Sequence, residues 1–383
     1  IMRDSFLYLF AGVLLGISLP SNACAAPDRE IRAIWVTRWD YKTASDIRVI
    51  LANCRSIGLN RVYFQVRGRS DAFYKSRLEP WAQELGGKDP GFDPLQVAVV
   101  EARKNSLQLH AWINVLAGWK GREPPANKTH LFHTHPDWFL KDRSGKTWKL
   151  SDHYTMLNPC NAQVREHVSA VAEDIAARYL VDGVHLDYIR FVFPLEDRRD
   201  QVPYDNVTLS LFRKETTGFP SRYPVRWNEF RRRAISSVVS RISSRVRKAR
   251  PGCIVSAAVI RDLQRGREVF FQDSPVWVAN GWIDEVVPMN YELDHGRFER
   301  LAKQDSKLAG ARKTIPGLGA HLYKNGAGLR RQIEIARSLK APGYALFAYT
   351  SFFPTPSHAS HPGEKASRVR ASLRKELVRL NQR

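Results

Sequence analysis

Eight short runs rich in β-branched and aromatic residues alternate with longer amphipathic stretches, and this alternation constrains the fold more than any other feature of the chain. The runs are Ile31–Thr37, Arg61–Arg67, Leu107–Asn114, Val181–Arg190, Ile254–Ile260, Asp284–Tyr291, Thr314–Gly319 and Tyr344–Phe352. Between them apolar residues recur at spacings of three and four, the period of a helix that buries one face. Ile47, Ile50, Leu51, Cys54 and Ile57 form one such stripe, Val164, Val168, Val171 and Ile175 a second, and Ile235, Val238, Val239, Ile242 and Val246 a third. A last stripe, Val369, Leu373, Leu377 and Leu380, lies near the C-terminus.

Strands that alternate with helices pair in parallel, because each return to the sheet needs a crossover long enough to hold a helix. Eight such units in 383 residues predict an α/β fold, a (β/α)8 TIM barrel with long insertions after strands three and four. The first insertion spans Val115–Pro159 and carries an expected hairpin at Asp142-Arg143-Ser144-Gly145; the second spans Phe191 to about Trp227. Both follow strand ends, on the face where barrels build their sites. A doubly wound open sheet is the alternative. It is disfavoured because Trp35-Val36-Thr37-Arg38-Trp39-Asp40 stands where a glycine-rich phosphate turn belongs.

The N-terminus predicts export. Arg3 precedes an apolar run from Phe6 to Leu19, Pro20 breaks it, and Ala23-Cys24-Ala25 fits a small-residue cleavage site. The run is too short to span a bilayer, which takes about 20 helical residues. The expected organisation is a signal peptide over residues 1–26 and one barrel domain over 27–383, periplasmic or extracellular, with a retained anchor or a lipid on Cys24 as alternatives. Cys54, Cys160 and Cys253 remain, an odd number without C-x-x-C spacing, so the domain is no disulfide scaffold.

Polar residues at the C-terminal ends of barrel strands carry the most weight for chemistry. Asp187 stands out: it sits among Val184, Leu186 and Ile189, where a carboxylate needs a partner, and Arg190 or His185 are the nearest in sequence. Glu292, directly after Tyr291, is the second candidate, with Asp71 or Asp294 as substitutes. Two carboxylates facing each other suit glycosidic cleavage, one protonating the leaving oxygen and the other attacking or activating water. Trp112, Tyr188 and Tyr291 offer flat faces to sugar rings, and Gln65, Asn114 and Asn290 are neutral groups that hold hydroxyls. Arg38, Arg67, Asp71, His110 and His185 complete the expected substrate cleft. His130, His133 and His135 lie in a proline-bounded loop without a carboxylate pattern, so neither a metal nor another cofactor is expected.

At these residues the chain resembles a known family, the glycosyl-hydrolase-like family ten proteins, exported bacterial TIM barrels. The resemblance rests on R-A-I-W-V-T at Arg32–Thr37, F-Q-V-R-G-R-S-D-A-F-Y at Phe64–Tyr74, Glu79-Pro80-Trp81, F-D-P-L at Phe92–Leu95, H-A-W-I-N at His110–Asn114, L-N-P at Leu157–Pro159, D-G-V-H-L-D-Y-I-R-F from Asp182, and V-P-M-N-Y ending at Tyr291. It implies hydrolysis of a glycan, with cell-wall polysaccharide the leading substrate class. It also places Asp187 as the strand-four acid and puts Arg67, Asp71, Trp112, Asn114 and Asn290 in segments that line the family's cleft. M-N-Y-E is similar to the M-x-Y-D of family-eighteen chitinases, but Ile189 stands where those enzymes carry their acid. His185-x-Asp187 is similar to the Arg-x-Asp of amylase-type barrels. The two likenesses assign Asp187 different roles, and the role stays open.

Lys and Arg number 60 against 38 Asp and Glu, a net charge of +22 that favours an anionic neighbour. An acidic cell-wall glycan is the expected partner, with peripheral association with an anionic membrane surface as a further expectation. A nucleic-acid partner, suggested by ten basic residues within Arg222–Arg250, conflicts with the export signal. A glycan-binding barrel without catalysis is the alternative function, because only Asp187 is firmly placed.

Overall fold

The computed structural model describes residues 30–147, 150–191, 202–355 and 364–381. The expected export signal over residues 1–26 lies outside the described residues, as does part of the second insertion. Eight parallel strands close into a barrel. In chain order they are β1 (Ile31–Val36), β2 (Arg61–Arg67), β3 (Gln108–Asn114), β6 (Gly183–Asp187), β7 (Ile254–Ile260), β8 (Glu285–Met289), β9 (Gly317–Gly319) and β10 (Gly343–Phe347). Between β3 and β6 the chain adds an antiparallel pair outside the barrel, β4 (Ala117–Gly121) and β5 (Ser151–Met156). The turn at Asp142–Gly145 is closed by the Gly145 N–H on the Asp142 carbonyl at 3.0 Å.

Helices cover the outside, and their starts follow local chemistry. Thr43 and Asp46 form a capping box on α1 (Ala44–Ser56), and Asp93 caps α2 (Pro94–Lys104), which carries proline in its first turn. α4 (Ala162–Arg178) is capped by Asn161. The longest helix, α6 (Pro224–Ala249), buries Trp227, Ile235, Val238, Val239, Ile242 and Val246. Its basic face is partly matched by α4, where Glu166 pairs with Arg241 and Arg245, and Glu173 lies 3.0 Å from Arg245. The C-terminal helix α11 (Glu364–Asn381) buries Leu373, Leu377 and Leu380 and ties the seam shut, with the Tyr344 hydroxyl on Asn381 at 2.8 Å. Among the described residues no helix is long and apolar enough to cross a membrane.

Strand lengths depart from the sequence pattern where the backbone runs out of donors or changes hand. β9 is three residues rather than six and pairs with β8 in register only at Met289 opposite Gly317. Pro288 of β8 has no N–H to donate to that seam, while the Pro316 carbonyl turns to β10 and accepts the Ala345 N–H at 3.0 Å. β6 stops at Asp187 because Tyr188 adopts φ 52°, a left-handed conformation that no strand continues. At the closing seam Gly343 lies opposite Ile31, where an added Cβ would sit 1.9 Å from the Ile31 carbonyl oxygen. Only glycine permits that approach.

The barrel interior is filled by Trp35, Tyr63, Trp112, Ala258, Val287 and Ile315. His110 and His185, expected in the cleft, are corrected here: both belong to this filling and have no exposure. The Trp35 indole donates to His185 Nε2 at 3.0 Å, the other His185 nitrogen meets the Ser256 hydroxyl at 2.9 Å, and Tyr63 stacks on the ring at 3.8 Å. Burial pushes both imidazoles well below their usual range, so they stay neutral.

Arg67 is likewise a strut. Its guanidinium grips Glu79 bidentately at 2.8 and 2.6 Å, and it donates to Ser70 and to the carbonyls of Asn114 and Val115. His167 adds a third bond to Glu79 at 2.9 Å. Burial pushes the Glu79 carboxyl up, but Arg67 and His167 outweigh it and hold it down at about 2. Glu79→Gln leaves a buried guanidinium uncompensated and is expected to cost 3–5 kcal/mol on the order of other broken buried pairs, measured by urea unfolding. The depressed carboxyl contributes stability that is full above the ordinary glutamate range and is lost as pH falls towards about 2. In E79Q the acid side of the stability profile is therefore flatter than in wild type.

Candidate active site

The C-terminal ends of the strands form a polar rim around Asp187. Parallel pairing sets Asn114 of β3 directly beside Asp187 of β6, and the Val115 N–H donates to the Asp187 carbonyl at 2.7 Å. The Asp187 carboxylate accepts the Tyr188 N–H at 2.6 Å and lies 3.5 Å from the Arg190 guanidinium. Burial pushes the carboxyl above the ordinary aspartate range, while Arg190, the Tyr188 N–H and the Trp112 indole pull the other way. The left-handed Tyr188 turns Arg190 back over its own ring, 4.3 Å from the centroid. Non-glycine residues held in this conformation cluster at functional sites.

On one side of Asp187 the rim is built from β1, β2 and the β4–β5 pair. Arg38 is buried: its backbone N–H donates to Gln65 Oε1 at 3.0 Å, its Nε meets Glu84 at 2.9 Å, and its guanidinium covers Trp39 at 3.9 Å. Asp71 accepts the Arg69 N–H at 2.8 Å, and burial raises its carboxyl. Asn114 donates to the Gly68 carbonyl at 3.2 Å, and its buried Oδ1 has no partner among the described residues. Tyr154 closes this side, 4.7 Å from the Tyr188 ring centroid, with its hydroxyl 3.5 Å from Asn114.

On the other side the rim comes from β7 and β8. Asn290 is buried and donates to Asp305 at 3.2 Å, leaving its own Oδ1 unpartnered among the described residues. Burial pushes the Asp305 carboxyl up to about 6. Tyr291 stacks on Phe347 at 5.3 Å, and burial with the nearby Asp187 charge pushes its phenol well up. A cavity of about 430 Å³ opens here, lined by Arg190, Tyr291 and three further arginines, Arg261, Arg265 and Arg297.

The structure thus brings Asp187, Asn114, Tyr188 and Tyr291 to one rim, whereas Trp112, expected to face a sugar, belongs to the barrel filling beneath it. Gln65 serves it indirectly, through the Arg38 backbone. Arg67 braces the rim from below, and His110 and His185 lie deeper still. Glu292 follows Tyr291, but its carboxylate makes its own ion pairs, with Arg297 at 3.1 Å and Arg261 at 3.6 Å. Asp294 caps helix α9 (His295–Ala309), accepting the Arg297 N–H at 2.6 Å. His130 accepts the Phe132 N–H and its other ring nitrogen meets the Arg69 carbonyl, so its role is to hold the loop. Tyr154 and Glu84 escaped the sequence reading, because neither sits at the end of a barrel strand. A tyrosine in a polar insertion offers no periodic signal.

A family model described as Glycosyl hydrolase-like 10 matches residues 30–332. The chain is 23% identical over 333 residues to glycosyl hydrolase YngK of Bacillus subtilis, covering 76% of this chain and 60% of that one. It is 24% identical over 358 residues to glycosyl hydrolase DigH of Escherichia coli K12, covering 81% of this chain and 77% of that one. Among solved structures it is similar to the PgaB (BpsB) glycoside hydrolase domain from Bordetella bronchiseptica, with a TM-score of 0.63 and 17% identity over 90% of this chain and 99% of that one. At that identity the likeness is one of fold. The chain spans only 60% of the length of the Bacillus relative.

The arrangement predicts that Asp187 is the carboxyl whose titration responds most to Arg190. Removing the cation in Arg190→Gln is expected to raise the Asp187 pKa further, because the ionised form loses its partner. Carboxyl-region NMR or infrared titration against Asp187→Asn as the blank checks the direction. A downward or absent movement contradicts the geometry.

Proposed function

Because the chain belongs to the glycosyl hydrolase-like 10 family, we propose that it cleaves O-glycosidic bonds of an envelope polysaccharide, an N-acetylated, acidic cell-wall glycan such as peptidoglycan strands. The observation that carries this reading is Asp187: a carboxyl at the end of a barrel strand, raised by burial, beside aromatic faces and unpartnered amide oxygens. A carboxyl raised above the ordinary aspartate range suits a general acid for the leaving glycosidic oxygen. Asn114 and Asn290 set amide groups at the strand ends around Asp187, and Tyr188 and Tyr291 would present ring faces. The second carboxylate we assign to Glu292, which lies 3.1 Å from Arg297 and 3.6 Å from Arg261, with Asp71 as its substitute. Export to the envelope and the surplus of +22 fit a polyanionic partner there.

The engagement of Glu292 by Arg261 and Arg297 also favours a second reading, a glycan-binding barrel in which the acid pair does no chemistry. The two separate in one experiment. Wild type and Asp187→Asn are incubated with peptidoglycan strands, peptide-bearing and peptide-stripped, and the products are read by mass spectrometry. New reducing ends from wild type, reduced by about 10²–10⁴-fold in D187N, support hydrolysis with Asp187 as the acid. Co-sedimentation with the strands but no products supports binding alone.

The pH profile is a further check. Activity that requires protonated Asp187 falls as pH rises through its elevated pKa, so the alkaline limb reports this group. Arg190→Gln is expected to move that limb upward, and a profile that keeps its alkaline limb in D187N would assign the acid elsewhere.

A further inference from the structure

The cavity beside Asp187 has a composition that the cleavage chemistry does not require. Four arginines line it, Arg190, Arg261, Arg265 and Arg297. Arg190 is engaged by Asp187, and Glu292 is shared between Arg261 and Arg297. Asp262, the remaining acid at the cavity, accepts the Arg265 backbone N–H at 3.1 Å as the cap of α7 (Leu263–Val269). Among the described residues no carboxylate lies within ion-pair distance of the Arg265 guanidinium, which is exposed. The count is four cations against three carboxylates.

The same cavity is also lined by the apolar side chains of Ile260, Met289 and Leu301. Its wall is held under strain: Asp262 and Phe271, which flank α7, take φ 63° and 60°. Guanidinium groups beside apolar side chains are matched by a ligand with a carboxylate on one edge and an apolar face or small alkyl substituent on another. A neutral sugar would leave the cationic surplus unanswered.

We infer that this cavity is a subsite for a sugar residue that carries a carboxylate, adjacent to the bond cleaved at Asp187, with Arg265 as the side chain that grips the carboxylate and Arg297 supporting it. The inference rests on the hydrolase reading for its position along the glycan. Arg265 selects substrate and takes no part in the proton transfer. Exposed and at the cavity lining, it is available to a ligand without breaking a buried pair.

The test uses the full chain and two peptide-free glycan-strand preparations, one with its carboxylates intact and one with them reduced to primary alcohols. Wild type is expected to show a kcat/KM at least about tenfold higher on the acidic glycan, the scale of one charge-assisted hydrogen bond. Arg265→Gln is expected to bring the ratio close to one, mainly through KM, and Arg265→Lys to retain part of it. Equal cleavage of both glycans by wild type, or an unaltered ratio in R265Q, overturns the subsite and leaves hydrolysis standing. If neither glycan is cleaved, calorimetric titration of the same pair decides. Carboxylate-dependent binding that R265Q abolishes keeps the subsite while the hydrolase reading falls, and binding without carboxylate dependence, or none, overturns it.

Discussion

The buried bidentate pair between Arg67 and Glu79 sets the geometry of the rim on which the rest of the site depends. Arg67 ends β2, Glu79 lies in the loop that follows, and the same guanidinium donates to the carbonyls of Asn114 and Val115 at the end of β3. One cation therefore joins the β2 loop to the residue that stands beside Asp187 in the sheet. A buried ion pair adds little net stability over an apolar replacement, but its geometry is demanding, and removing one partner is severe. Its value here is positional. His167 of α4 reaches the same carboxylate, so the outer helical layer is keyed to the rim as well.

Asp187 inherits its properties from that arrangement. Its neighbours in the strand are apolar, which raises the carboxyl, and Arg190 can moderate it only because Tyr188 bends the chain back through a left-handed conformation. The rim then divides. The β1–β3 side presents Arg38, Asp71 and Tyr154 in a tightly bonded set, whereas the β7–β8 side opens into the arginine-lined cavity. A bonded wall suits the orientation of neutral hydroxyls, and an open, positively charged wall suits an acidic substituent. Asp187 stands between the two.

Much of this was legible in the chain. The eight strand runs were visible because each alternates with a stripe of period 3.6, and the same runs set Asp187, Asn114 and Asn290 at strand ends. The limits of β6 and β9 were less so. Tyr188 carries no sequence mark of its left-handed φ, and Pro288 acts on a ladder only once the fold sets it beside β9. His110 and His185 looked like cleft residues because a strand pattern does not say how deep in the barrel a residue lies. Depth follows from register and tilt, which belong to the closed sheet.

The amino-acid order by itself determined the parallel barrel, the helical layer around it and the strand-end position of Asp187, since hydrophobic period and crossover length are local properties. Only the tertiary structure decided which charges meet. Arg67 is 12 residues from Glu79 and 47 from the Asn114 carbonyl, while Tyr154 reaches Asn114 across 40. Electrostatic partnership depends on distance in space and on burial, and neither is written in the spacing of residues along a chain. For that reason Arg67 became a brace, Glu292 was taken by two arginines, and Arg265 was left facing an open cavity.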